Sequence, residues 1–281
     1  MKVLLLPDSR GWAFDNKVRD IIKYNPPTSG ITYTVQYRVE ITKVDTRDWD
    51  YVMTFNWSEP LVPHDCGNLI KGCFSARWVQ MKRTPAQVGA ELSTCRGIVF
   101  ATEYLRDEIA PHLKTKYTII PDATDPAVFY PGGHAKPETF TALFSGNRTD
   151  PSKRLDVIRE VCKTAGVPLR EIQDVAREDL REAYCQPDVL INFSIQEGGP
   201  TVLLEAAMCG TPMIMPRGVG LSDKIPCFKV ADRDDLLATL TRLKSDRDAC
   251  QAMGARARDV AVSEFASPEM AEMYAQFFAS L

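Results

Sequence analysis

The feature that most constrains this chain is a recurring alternation. A short continuous apolar run leads into a polar or glycine-bearing loop, and apolar residues at helical spacing follow. Val3–Leu6 runs into Pro7-Asp8-Ser9-Arg10-Gly11, after which Val18, Ile21 and Ile22 recur as on one side of a helix. A strand buried on both faces needs no alternation of apolar and polar positions. Uninterrupted runs separated by helices therefore predict a doubly wound parallel sheet, the α/β class. Tyr33–Val39, Tyr51–Phe55, Ile98–Ala101 and Tyr117–Ile120 read as further strands, with a helix near Glu103–His112.

Residues 121–137 hold four prolines and the Gly132-Gly133 pair with little periodicity, the best linker in the chain. A second series then begins. Strands are predicted at Phe140–Phe144, Val189–Phe193 and Pro212–Met215. Helices are predicted at Ser152–Ala165, closed by Gly166, and at Arg177–Tyr184, Pro200–Cys209 and Asp234–Lys244. Arg247 to Leu281 is largely helical with a break near Ser267-Pro268. The predicted organisation is residues 1–133, residues 134–266, and a last helical segment over residues 267–281.

Composition narrows the function classes. The 281 residues are 44% hydrophobic and 25% charged with a net charge of −3, so disorder and a broad nucleic-acid-binding surface are excluded. The eight cysteines form no CxxC pair. They read as buried free thiols in a reducing compartment rather than zinc ligands or disulfides. The apolar run at the N-terminus stops at Leu6, too short for a signal peptide, and no stretch reaches membrane-helix length. A soluble, cytoplasmic protein is expected.

Two loops carry the chemistry. In open parallel sheets, ligands gather where strand ends lead into helix N-termini. Ser194-Ile195-Gln196-Glu197-Gly198-Gly199-Pro200-Thr201-Val202 places a carboxylate and two glycines before a predicted helix, with Pro200 as its first residue. The N–H groups beyond Pro200 suit a phosphate. Glu205 lies about 7–8 Å along that helix, where a carboxylate can accept from a ribose diol. A helix cap with a buried glutamate is the structural alternative. Ser145-Gly146-Asn147-Arg148, followed by Lys153-Arg154, can clamp a diphosphate; the alternative is a solvated basic helix start. Neither stretch is a Walker loop or a Gly-x-Gly-x-x-Gly fingerprint.

These two stretches resemble retaining GT-B nucleotide-sugar glycosyltransferases, glycosyltransferase family 4-like, in a compact, phage-type short form. The resemblance covers Phe140–Pro216, through Phe144-Ser145-Gly146-Asn147-Arg148, Lys153-Arg154-Leu155-Asp156 and the run from Glu197 to Ile214. Ile120–Pro131 is similar to the family's interdomain segment but lacks its Asn-Gly pair, and Glu264-Phe265 is similar to the family's ending. The resemblance implies two Rossmann-like domains with an interdomain cleft and a last helix returning to the first domain. It implies that Arg148 and Lys153 neutralise the departing diphosphate, Glu197 contacts the donor sugar and Glu205 the ribose. Gly146, Asn147, Gly198, Gly199, Pro200, Thr201 and Val202 would line the UDP- or GDP-sugar. No metal and no cofactor beyond that donor are expected.

The first half matches the family poorly. The strand expected near Leu69–Cys73 ends in Phe74-Ser75-Ala76 where many relatives carry a histidine. His64 is the nearby substitute or else a surface histidine; Gly11 and Trp12 are acceptor-side candidates, Trp12 equally a core aromatic. Arg77, Lys82 and Arg83, interleaved with Trp78, are a candidate anionic-acceptor face or a solvated helix face. The leading expectation is a glycosyltransferase acting on an acceptor hydroxyl, with hydroxylated bases of DNA as one acceptor. The alternatives are a non-catalytic sugar-nucleotide-binding module and a nucleotide-sugar epimerase.

Overall fold

The structure is a computed structural model that describes residues 1–281 except 59–61, 63–66 and 134–135, with Arg77 and Gln80 described by backbone alone. It divides into two compact units, Met1–Ala123 with Ser267–Leu281, and Thr124–Ala266. The divide thus falls between Ala123 and Thr124, ahead of the boundary read at Gly133. The proline-rich stretch belongs to unit 2 because it packs there: Phe129 is fully buried in that unit's core.

Unit 1 contains β1 (Lys2–Leu6), α1 (Ala13–Lys23), β2 (Thr32–Val35), β3 (Tyr51–Thr54), β4 (Leu69–Cys73), α2 (Arg77–Gln80), α3 (Pro85–Leu92), β5 (Gly97–Phe100), α4 (Glu103–Ile109) and β6 (Lys116–Ile119). Its six strands lie in the order β2-β1-β3-β4-β5-β6, every neighbouring pair parallel. Val3 pairs with Tyr33 on one side and Tyr51 on the other, so β1 is interior and its apolar run is buried.

The α1 stripe departs from expectation. Val18 and Ile21 are buried, but Ile22 is 41% exposed, and Asp15, Lys17 and Asp20 are buried instead. Each has a partner: Asp15 accepts from the Gly11 N–H at 2.7 Å and the Tyr37 hydroxyl at 2.7 Å, Lys17 pairs with Asp122, and Asp20 accepts from Ser267 Oγ at 2.7 Å. Buried charge persists only when paired.

Unit 2 contains β7 (Ala142–Ser145), α5 (Leu155–Ala165), β8 (Leu169–Ile172), α6 (Arg177–Cys185), β9 (Val189–Ile191), α7 (Thr201–Met208), β10 (Met213–Pro216), β11 (Phe228–Val230), α8 (Arg233–Lys244) and α9 (Arg247–Glu264). Its strands run β11-β10-β9-β7-β8, again all parallel. Two apolar layers sandwich the sheet. Tyr184, Leu203, Ala206 and Ala261 form one, from α6, α7 and α9; Ile158, Val161, Leu240 and Cys250 form the other. The chain then returns to unit 1 as α10 (Ser267–Ala279), whose Tyr274, Phe277 and Phe278 are buried. Phe278 stacks near Tyr51 with centroids 6.1 Å apart and meets Tyr33 edge-on at 6.0 Å.

Candidate functional site

The unit 2 site forms where β7 and β9 end. β7 closes on Ser145 and Gly146, whose φ of +148° is a conformation that residues with a Cβ rarely adopt. The Gly146 N–H donates to the Ile172 carbonyl at 3.1 Å, and the Arg148 N–H donates to Gln173 Oε1 at 2.8 Å, tying the loop to the end of β8. Asn147 turns the loop by accepting from the Thr149 N–H and hydroxyl at 2.9 and 2.8 Å. Arg148 itself is exposed, and its guanidinium makes no ion pair among the described residues.

The helix predicted from Ser152 starts later. Asp150 accepts from the Ser152 N–H and Oγ at 2.9 and 2.7 Å, winding residues 151–153 into a 3-10 turn. Arg154 then takes a left-handed conformation, φ +52°, with its guanidinium 4.1 Å from the Phe193 ring centre. This turn aims Lys153 toward the β9 loop.

There Lys153 Nζ meets Glu197 Oε1 at 2.6 Å. Ser194 Oγ donates to the same oxygen at 2.6 Å and Asn192 Nδ2 at 3.1 Å. All three bonds fall on Oε1, and Oε2 has no hydrogen bond among the described residues. The Glu197 side chain is only 8% exposed. Gly220 keeps room beside it, since a Cβ there would sit 3.0 Å from Glu197 Cβ at a φ of +57°.

Pro200 is the N-cap of α7, with a ψ of 109°, not its first helical residue; the helix begins at Thr201. Thr201, Val202, Gly198 and Gly199 are half-buried at this helix start. One turn further in, Glu205 is buried, and its Oε2 accepts from the Tyr184 hydroxyl at 2.9 Å. That hydroxyl also lies 3.0 Å from Ser145 Oγ, so β7, α6 and α7 are joined at one point. Burial, and then the neighbouring Glu205 carboxylate, hold the Tyr184 phenol well above its ordinary pKa and keep it a donor.

The structure thus brings together Lys153 with Glu197, and the Gly146 loop with Glu205 through Tyr184. Sequence reasoning missed Tyr184, Asn192 and Ser194. Asn192 and Ser194 sit two apart after β9 and ahead of Glu197, a spacing that puts both on one side of an extended chain. Tyr184 falls in the stretch Tyr184–Val189 that also carries the family resemblance, but the sequence assigns its hydroxyl no role.

In unit 1, a cavity of about 500 Å³ opens over the carboxyl ends of β1, β3 and β4. Trp12 lines it and is 60% exposed, so it is not a core aromatic. Gly11 is a turn residue, φ +75°, whose N–H is taken by Asp15. His64 lies outside the described residues. Trp78 is buried edge-on against Trp57 at 6.4 Å and Arg83 pairs with Glu91 at 2.5 Å, whereas Lys82 is exposed and the Arg77 side chain lies outside the described residues. Among the described residues no cluster of His, Cys, Asp or Glu could hold a metal ion, and no helix is long and apolar enough to cross a membrane. The seven described cysteines are buried and form no disulfide with one another.

Two parallel sheets of six and five strands with covering helices define a GT-B fold. Residues 135–246, which lie in unit 2, match the family model described as Glycosyl transferases group 1. Among solved structures, sucrose-phosphate synthase from Thermosynechococcus elongatus is 14% identical over 100% of both chains, with a TM-score of 0.76. Anabaena HepE, solved in complex with UDP and glucose, is 11% identical over 100% of both chains, with a TM-score of 0.73. Trehalose-6-phosphate synthase OtsA is 12% identical over 100% of this chain and 99% of its own, with a TM-score of 0.72. No curated protein matches the chain by sequence.

Proposed function

We propose that this chain is a glycosyltransferase that moves a sugar from a UDP- or GDP-linked donor to an acceptor hydroxyl with retention at the anomeric carbon. The observation that carries the reading is the Glu197 carboxylate, held on one oxygen by Lys153, Ser194 and Asn192 in the loop entering α7. Its other oxygen is left to a sugar hydroxyl. The reading draws support from the family match over this segment and from the UDP and glucose held by HepE.

Each group has a chemical task. The donor's diphosphate takes the N–H groups at the start of α7 and the cations Lys153 and Arg148, which oppose the charge that grows on the leaving group. Gly146, Asn147, Gly198 and Gly199 allow backbone to approach it. Glu205, fixed by Tyr184, faces the ribose. The acceptor oxygen attacks the anomeric carbon on the face the diphosphate leaves, the carbon–phosphate-oxygen bond breaks, and the departing diphosphate takes the hydroxyl proton. With cations and a helix start in place, turnover is expected to persist in EDTA.

A thermal-shift screen of UDP- and GDP-sugars, followed by donor hydrolysis, tests this. Binding to the folded state alone raises the melting temperature by mass action. One nucleotide sugar is expected to shift melting and to be hydrolysed slowly, with hydrolysis lost in Glu197→Gln. A shift without any turnover identifies a binding module; an epimerised donor without acceptor identifies an epimerase. DNA carrying hydroxymethylated bases belongs in the acceptor panel, where a nucleoside mass gain after digestion would show it as substrate.

A further inference from the structure

Two cysteines meet at the ends of the helices that carry Tyr184 and Glu205. Cys185 is the last residue of α6, and Cys209 follows the end of α7. These helix ends are fastened together. Thr211 Oγ1 donates to the Tyr184 carbonyl at 2.6 Å, and Cys209 Sγ lies 3.9 Å from the Arg181 carbonyl, one turn before Cys185. The two thiols are hydrogen-bonded to each other, with Cys209 donating. The segment Tyr130–Gly132 covers the pair. The Gly132 N–H donates to Cys185 Sγ at 3.2 Å, Cys185 Sγ lies 3.5 Å from the Tyr130 carbonyl, and a Cβ on Gly210 would meet the Pro131 ring at 3.7 Å. The Arg181 guanidinium clips this cover, donating to the Tyr130 and Pro131 carbonyls at 3.1 and 3.4 Å. Pro131 is exposed and Gly132 half-buried, so Cys185, itself 9% exposed, lies one chain's thickness below the surface.

The pair is electrostatically unequal. The S–H donated by Cys209 draws the Cys185 thiol down to about 6, and the Gly132 N–H and the Arg181 and Lys136 cations add to this against burial. The same bond, together with burial, pushes Cys209 far above the ordinary thiol range. At neutral pH Cys185 is thus the thiolate and Cys209 holds the proton, the division between an attacking and a resolving thiol. A hydroperoxide is small enough to pass the cover, whereas a disulfide oxidant would have to displace it. The Cys185 thiolate attacks the outer peroxide oxygen and the O–O bond breaks. The leaving oxygen takes a proton from water, and Cys185 becomes a sulfenic acid. That step removes the negative charge that held the Cys209 proton. Cys209 sulfur then attacks Cys185 sulfur, the S–O bond breaks, and the oxygen leaves as water with the Cys209 proton. Two electrons have passed from the sulfurs to the peroxide. Bonding draws the ends of α6 and α7 from hydrogen-bond contact to covalent contact. Tyr184 adjoins Cys185 in the chain and the Glu205 carbonyl accepts the Cys209 N–H at 3.1 Å, so the Tyr184–Glu205 hydrogen bond lies close to both sulfurs.

We propose that Cys185 and Cys209 are a reversible oxidation site, closed to a disulfide by a hydroperoxide and reopened by a dithiol, whose closed form binds the nucleotide-sugar donor more weakly. The effect on the donor rests on the glycosyltransferase reading; the disulfide does not. The test treats the full chain with limiting hydrogen peroxide, maps its peptides by mass after alkylation, and measures UDP- and GDP-sugar affinity by calorimetry before and after. The intact mass should fall by two hydrogens, with one cross-linked peptide pair joining Cys185 to Cys209 and full recovery in dithiothreitol. In Cys209→Ser the reaction should stop at a sulfenic acid on Cys185 that dimedone traps. Donor affinity should weaken at least about fivefold in the oxidised parent, the low end of coupling between two sites, and stay unchanged in peroxide-treated Cys209→Ser. Near-UV circular dichroism of the oxidised parent serves as the folding control. No cross-link in the folded parent, or one that joins another pair of cysteines, overturns the site. A cross-link that leaves affinity unchanged, or an affinity loss that Cys209→Ser shares, overturns the coupling. A chain that forms the cross-link but binds no nucleotide sugar in either state overturns the glycosyltransferase reading and leaves the oxidation site standing.

Discussion

The two units hold carboxylates at comparable places, beyond the carboxyl ends of parallel strands, but treat them differently. In unit 2, Glu197 has three donors on one oxygen and Glu205 is bound to a buried tyrosine. In unit 1, Asp8 lines an open cavity, and among the described residues the Ser9 N–H is the one donor from another residue on its carboxylate. A site whose donors are fixed before the ligand arrives loses little on reorganisation when charge develops. Unit 2 therefore has the stiffness that the proposed leaving-group chemistry needs, and the unit 1 cavity carries fewer fixed donors.

Four outcomes would sharpen or break that contrast. The largest concerns the frame of unit 1. Lys17 is buried, paired with Asp122 and 3.7 Å from the Phe74 ring centre. Lys17→Ala strands a buried aspartate and is expected to cost about 3–5 kcal/mol in chemical denaturation. A loss below about 1 kcal/mol would mean that the pair is not what orders this corner. Next, Lys153→Ala removes the cation from Glu197 and is expected to lower turnover roughly 10²–10³-fold, on the scale of losing one preorganised donor. Unchanged turnover would make the ion pair a structural clip. Tyr184→Phe deletes the hydroxyl bridging Ser145 and Glu205, with an expected stability loss of about 1–3 kcal/mol and weaker donor binding by calorimetry.

The smallest effect is the pH dependence of Asp8. Its folded pKa is raised above the ordinary 3.8 by burial, so the native state holds that proton more tightly than the unfolded chain. The stabilisation this gives is fully present below the ordinary value and is lost as pH rises through the raised one. Asp8→Asn should therefore melt slightly higher than the parent at pH 7, and the gap should close in acid. A gap that widens in acid would reverse the assignment of Asp8 as a desolvated carboxyl.

Much of this arrangement was legible in the sequence, for a physical reason. Interior parallel strands are buried on both faces, so β1, β3, β5, β7 and β9 announce themselves as apolar runs. The strands left unread, β8 (Leu-Arg-Glu-Ile) and β11 (Phe-Lys-Val), are the two edges of the unit 2 sheet, where short strands carry charge. The loops around Gly146 and Glu197 were visible because glycine, proline and charge cluster there. Their mutual contact was not, since the 3-10 turn that aims Lys153 depends on Asp150 capping its own loop. Pro200 was placed one residue too far into the helix, an error of the size capping signals permit. In unit 1, the exposure of Trp12 and the burial of Trp78 follow from packing that no spacing encodes.

The central claim is that Glu197 serves the reaction through the one oxygen its neighbours leave unbound. Donor turnover and donor affinity measured side by side in Glu197→Gln test it most directly. The substitution keeps the shape and the oxygen facing Ser194 and Asn192 while removing the charge. Turnover is expected to fall at least about a hundredfold, roughly 2.7 kcal/mol, with donor affinity changing less than tenfold. Parent-like turnover, or affinity and turnover lost in equal measure, would contradict it.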